Sequence, residues 1–165
     1  MAISMSSLRA VYIDELKDIY DAEKQLTKAL AKMAKAASSG ELRNSFTEHL
    51  EQTKSHVERL EKLFAALGVR PSGTKCVGTE GLIEEASEVD EDFEDSVMDA
   101  ALISAAQRVE QAKISAYGTA CLFAVLLAES EHVSLLQQTL DEQKQADAKL
   151  TELSKDINTA ANDQS

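Results

Sequence analysis

Apolar residues recur along this chain at three- and four-residue intervals, the spacing that gathers side chains onto one face of an α-helix. Four such faces can be traced. The first runs Tyr12, Leu16, Ile19, Glu23, Leu26, Leu30, Met33, with Ser6 and Ser7 as candidate caps at its start. It should end near Ser38-Ser39-Gly40, where Gly40 suits a left-handed stop. The second runs Leu42, Phe46, His49, Thr53, His56, Leu60, Leu63, Leu67 and is closed by Gly68 and Pro71. The link between the two is short, which predicts antiparallel neighbours. The third runs Ile103, Ala106, Glu110, Lys113, Tyr117, Ala120, Ala124, with Ser96 as its expected cap. The fourth runs Val133, Leu136, Leu140, Gln143, Asp147, Leu150, Ser154, Ile157.

No glycine or proline separates the third face from the fourth. One helix over both would be roughly 90 Å long, too long for a small domain. A tight turn is therefore expected near Ala128 to Ser130, with Ser130 as cap. Between the second and third faces lies a long connection, residues 69–95, with a short helix expected from about Glu80 to Val89. Two helical hairpins joined by one long crossover predict an all-α, ferritin-like four-helix bundle, the crossover carrying a short extra helix. Residues 1–157 are read as one domain and 158–165 as a frayed polar tail.

Composition narrows the function classes. Of 165 residues, 44% are hydrophobic and only one is proline, which favours long helices around one sizeable core. A net charge of −12 argues against nucleic-acid binding. No apolar run would span a bilayer, and Met1 to Ser7 lacks the basic and apolar regions of a signal peptide, so a cytoplasmic protein is expected. Cys76 and Cys121 form no spaced motif and read as free thiols. The acidic run Glu84, Glu85, Glu88, Asp90, Glu91, Asp92, Glu94, Asp95 reads as solvated surface.

Each helical face is apolar at its ends and polar at its centre. The interruptions are Glu23; His49, Thr53 and His56; Glu110 and Lys113; Gln143 and Asp147. In an antiparallel bundle of similar helices the midpoints share a layer, so these groups should form one polar slab inside the core. Carboxylate and imidazole groups from four helices are the ligand set of di-iron or di-manganese sites. The usual Glu-x-x-His is missing from the inward stripes. Glu129-x-x-His132 occurs at the expected turn, away from the slab, and reads as coincidence.

Several segments carry a family resemblance: Asp21-Ala22-Glu23-Lys24-Gln25-Leu26, His49-Leu50-Glu51-Gln52-Thr53, Val57-Glu58-Arg59-Leu60, Glu80-Gly81-Leu82-Ile83-Glu84-Glu85, Tyr117-Gly118-Thr119 and Thr139-Leu140-Asp141-Glu142. They resemble the YciE/YciF-type ferritin-like proteins of bacteria over nearly the whole chain. The resemblance implies a ferritin-like fold, frequent dimers, a candidate di-metal centre and a link to stress responses. By that pattern the metal ligands would be Glu23, His56, Glu110 and Asp147. Gln52, Lys113 and Gln143 stand where relatives often carry Glu. Three carboxylates less one ammonium balance two divalent ions poorly, and each poorly compensated buried ion costs several kcal/mol. An internal pair with Lys113 as the cation needs no metal. Three readings follow. The leading one is a stress-associated protein with a reduced or vestigial metal site. The others are an iron or manganese oxidoreductase acting on peroxide or oxygen, and a dimeric interaction module. A homodimer is expected on the flank of Cys121, Leu122 and Leu126, or on the crossover.

Overall fold

The computed structural model describes residues 7–71, 75–89 and 92–164. Ser6, Asp90 and Glu91, named above, lie outside them. Five helices follow one another: α1 (Leu8–Ala36), α2 (Gly40–Leu67), α3 (Val77–Ser87), α4 (Asp95–Leu126) and α5 (Ser130–Asp163). Helices α1 with α2 and α4 with α5 form hairpins, α1 also packs on α4 and α2 on α5, and α3 lies across α1 and α4. This is the expected ferritin-like bundle.

The helix ends show what the periodicity could not. Ser7 caps α1 by accepting from the Ala10 N–H. At the other end of α1, Gly40 is no left-handed stop. It opens α2, and Ser39 caps it by accepting from Leu42 N–H. The hairpin is held from outside: the buried Asp99 carboxylate accepts the Ser38 and Ser39 N–H groups, each at 2.7 Å. Gly68 is the left-handed glycine at the end of α2, with φ 64°. Helix α3 starts at Val77, ahead of the expected Glu80, and Ser96 does not cap α4, whose cap position is Glu94. Helix α5 runs on to Asp163, so the tail expected from Asn158 is helical. The described acids of the crossover run are exposed, from Glu84 to Asp95.

The turn between α4 and α5 falls at the expected place but uses unexpected chemistry. Ala128 takes the left-handed conformation, φ 58°. Its N–H donates to Val125 O at 3.1 Å, and Glu129 N–H donates to Ala124 O at 3.0 Å, the paired bonds of a Schellman stop. Ser130 is not the cap. Glu129 occupies that position, and its carboxylate pairs with Arg9 at 2.6 Å instead of capping the helix. An alanine in this conformation is strained by its Cβ, a penalty glycine lacks. Ala128→Gly is expected to stabilise the chain by about 0.5–1 kcal/mol in urea unfolding.

The core is in two parts. One holds Leu26, Leu30, Met33, Phe46, Ile103 and Leu150. The other holds Tyr12, Leu16, Leu60, Phe64, Ala120 and Leu136. Between them, at the centre of all four long helices, lie the buried polar residues Glu23, His49, Thr53, His56, Glu110, Lys113 and Gln143.

Candidate functional site

Glu23 sits at the centre of this slab with no exposed surface. Its Oε1 accepts the Tyr117 hydroxyl at 2.7 Å and the Gln143 Nε2–H at 3.3 Å. Its Oε2 lies 2.9 Å from Lys113 Nζ. That ion contact is close but lacks hydrogen-bond angles, so both atoms remain without a hydrogen-bond partner. Lys113 is itself only 3% exposed. Its sequence neighbour Glu110 is held from the other side: its Oε1 accepts the His49 Nε2–H at 2.8 Å, while Oε2 has no partner. Thr53 spends its hydroxyl on His49 O at 2.8 Å and offers nothing to the slab.

His56 links the slab to the outside. Gln143 Nε2 lies 3.0 Å from His56 Nδ1, and Glu142 Oε2 lies 2.8 Å from Nε2. In a neutral ring the amide donates to Nδ1 and the imidazole proton sits on Nε2, donated to Glu142. Nδ1 also lies 3.3 Å from Glu23 Oε1, a contact that would bind only an imidazolium. Glu142 is in turn gripped by both terminal nitrogens of Arg59, at 2.7 and 2.9 Å, and Arg59 also donates to Thr139 Oγ1 at 3.0 Å. The two-pronged guanidinium grip is a strong, geometry-specific contact.

The electrostatics follow from these partners. Burial pushes the Glu23 carboxyl up, but the Lys113 ammonium, with His56, outweighs it and brings it down to about 2. Glu110 is also lowered: burial opposes ionisation, and Lys113 and His49 overcome it. Glu142, against a smaller burial cost, is brought to about 2 by Arg59 and His56. Tyr117 is raised well above the usual range by burial and by its carboxylate partner Glu23, so it remains a donor.

Of the expected site residues, the fold brings together Glu23, His56, Glu110, Lys113 and Gln143. Asp147 stays out: its carboxylate is at the surface of the α4–α5 seam, accepting from Gln111 at 2.8 Å and Gln107 at 3.4 Å. Gln52 is exposed and reaches only His49 Nδ1, at 3.4 Å. Glu142 and Arg59 were not expected at the site, and His49 was expected in the slab without Glu110 as its named partner. The position of Arg59 one turn after His56 was the signal for that residue. His132 of the Glu129-x-x-His132 pair is far from the slab, where its Nδ1 lies 3.1 Å from the Tyr12 hydroxyl.

The model of a family described as a domain of unknown function, DUF892, matches residues 7–162. The chain belongs to the DUF892 family. It is 45% identical over 153 residues to Protein YciF of Escherichia coli K12, covering 92% of each chain. Against the crystal structure of that E. coli stress protein the TM-score is 0.90 with 43% identity, covering 94% of this chain and 99% of the other. YcfI of Rhodopseudomonas palustris, a candidate structural protein, aligns with TM-score 0.85 at 39% identity, covering 92% and 97%. A ferritin-like, diiron-carboxylate protein of Bacillus anthracis aligns with TM-score 0.71 at 18% identity, covering 91% and 99%, which shows the shared fold.

Ferritin-like folds can hold two metal ions at the level of this slab, and the donor set of this DUF892 chain can be tested against that demand. Two divalent ions carry four positive charges and are usually matched by about four carboxylates. Here two carboxylates, Glu23 and Glu110, face inward, and an ammonium lies 2.9 Å from one of them. Glu142 is committed to Arg59, and His56 presents one nitrogen to Glu142 and the other to Gln143. The residues present do not fit a pair of metal ions.

Proposed function

We propose that this DUF892 chain is a stress-associated ferritin-like protein in which a reduced metal layer serves as a structural ion network, with Lys113 as its internal cation. The observation that carries the reading is the buried Lys113 Nζ at 2.9 Å from Glu23 Oε2, which engages a carboxylate that a metal would need open. The stress description of the E. coli relative supports the physiological setting, and the candidate structural role of the R. palustris relative points the same way. A cytoplasmic setting is part of the proposal; the free thiols Cys76 and Cys121 agree with it. Among the described residues no helix is long and apolar enough to cross a membrane.

The test is elemental analysis of protein purified without chelator, paired with thermal unfolding with and without Mn²⁺ or Fe²⁺. The expected result is far less than two ions per chain and an unchanged midpoint. Two tightly held ions per chain would instead support the iron or manganese oxidoreductase, a reading that the unpartnered Glu110 Oε2 favours.

Assembly is part of the proposal. Leu122 and Leu126 are 67% and 73% exposed on the last turns of α4, beside the exposed Val125. Cys121, expected on the same flank, is buried instead. The three side chains make an apolar strip on an otherwise charged protein, the kind of surface that a second copy covers. Light scattering is expected to give a dimer mass, and Leu122→Glu with Leu126→Glu a monomer. A wild-type monomer at micromolar concentration would end the dimer reading.

A further inference from the structure

Two spaces meet at Ser45 and His49 on α2. Outside them, in the α2–α5 seam, lies an open cleft of about 150 Å³, lined also by Glu48, Gln52, Gln145 and Lys149. Glu48 of α2 and Lys149 of α5 form an ion pair across that seam at 2.5 Å. Inside them lies a narrow cavity with about 10 Å³ of room for a water-sized sphere. Its walls are apolar, Phe46, Val109 and Leu150 among them, except where Ser45, His49 and Glu110 reach it. Ser45, His49 and Ala146 line both spaces, so the cleft and the cavity share a wall. The inner cavity faces a polar group that lacks a donor. Glu110 is only 2% exposed, and its Oε2 has no hydrogen-bond partner. Burial opposes its ionisation, yet Lys113 and His49 keep the carboxyl ionised. His49 serves only Oε1. A buried charged oxygen without a donor is costly. Ser45 is also buried, and its hydroxyl makes no hydrogen bond among the described residues.

These features select a ligand. A single water needs about 10–15 Å³ of such room and two to four polar partners. A hydroxyl and a carboxylate oxygen on one cavity meet that demand. An ammonium ion would bring four donors to the same two groups. A metal ion needs a fuller shell, and among the described residues no three His, Cys, Asp or Glu side chains are grouped to hold one. We propose that this cavity is the seat of one buried water, which accepts from the Ser45 hydroxyl and donates to Glu110 Oε2, and that the α2–α5 cleft is its route to solvent. The inference rests on the reading of the slab as an ion network and supplies the donor that Glu110 lacks. The slab is then wetted from the α2–α5 side, past Ser45 and His49.

The first measurement is a crystal structure of the full chain that resolves ordered water, with a second set of crystals soaked in Mn²⁺. One water within hydrogen-bond distance of both Glu110 Oε2 and Ser45 Oγ is expected, and no Mn²⁺. The second measurement is oxygen-17 relaxation dispersion, which counts long-lived waters in solution. Ser45→Val and Ala146→Leu fill the cavity from opposite walls, on α2 and α5. Each folded variant, checked by circular dichroism, should hold one long-lived water fewer than wild type. The proposal is overturned if the wild-type cavity shows no water, or if either folded variant keeps the wild-type count. Mn²⁺ bound at Glu110 would overturn the ion-network reading along with it, whereas a cavity with neither water nor metal overturns this inference alone.

Discussion

Lys113→Ala is expected to destabilise the folded chain by roughly 3–5 kcal/mol, the scale for removing one partner of a buried pair. For a chain of this size that is a fall in melting temperature on the order of 10 °C. The reason lies in what the substitution leaves behind. Glu23 and Glu110 are both buried, and the cation that keeps them ionised is Lys113. Without it, two carboxylates share a buried layer with two imidazoles, an amide and a phenol as neighbours. Adding Glu23→Gln to Lys113→Ala should recover part of the loss, because it removes one of the stranded charges. Mn²⁺ or Fe²⁺ should also stabilise Lys113→Ala but not wild type, since a ligand that binds only the folded state raises its stability. Lys113→Glu with Gln143→Glu is expected to go further and create tight metal binding. Gln52, exposed and outside the slab, need not be changed with them. A neutral Lys113→Ala in thermal unfolding would sink the internal-cation idea.

Acid should unfold the protein through the same layer. Glu23 and Glu142 are both held near 2 in the folded chain, below the ordinary glutamate value of 4.5. An acid with a depressed folded value stabilises the fold above its unfolded value, and that contribution is lost as pH falls toward the folded value. The window is therefore about pH 5 down to pH 2. For the fully buried Glu23 the loss is on the order of 3 kcal/mol. Glu15 and Asp18 act in the opposite sense: burial, with nearby carboxylates, raises them, so their protonation relieves the fold and offsets part of the loss. Urea unfolding between pH 7 and 3 should show a steep fall in wild type and a shallower one in Glu23→Gln. The slope, not the starting stability, is the readout, because the substitution also disturbs Lys113. Equal slopes would assign acid sensitivity to groups outside the slab.

Much of this was legible in the sequence for a simple reason. Burial repeats with the helix period, so the stripes through Leu16, Phe46, Ile103 and Leu136 identified the core faces, and their polar centres identified the slab. Both apolar clusters end where those stripes turn polar. Chain continuity with one long crossover was then enough for the ferritin-like bundle. The periodicity could not tell which residues at the stripe's edge turn inward. A step of four residues overshoots a full helical turn by about 40°, and on α5 that carries Asp147 from the Gln143 line to the seam with α4, where Gln107 and Gln111 hold it. Glu142, one residue before Gln143, points to the α2 side and meets His56 and Arg59. Helical spacing puts Glu110, three residues away on the same helix, within reach of Lys113, yet the carboxylate in ion contact with it is Glu23 on α1. The turn at Ala128 likewise carries no glycine to announce it, because the packing of two long helices outweighs the strain at one residue. Helical period, stripe and layer are local properties of the chain. The identity of each buried partner depends on how four helices are rotated about their axes, and only the packed bundle sets those rotations.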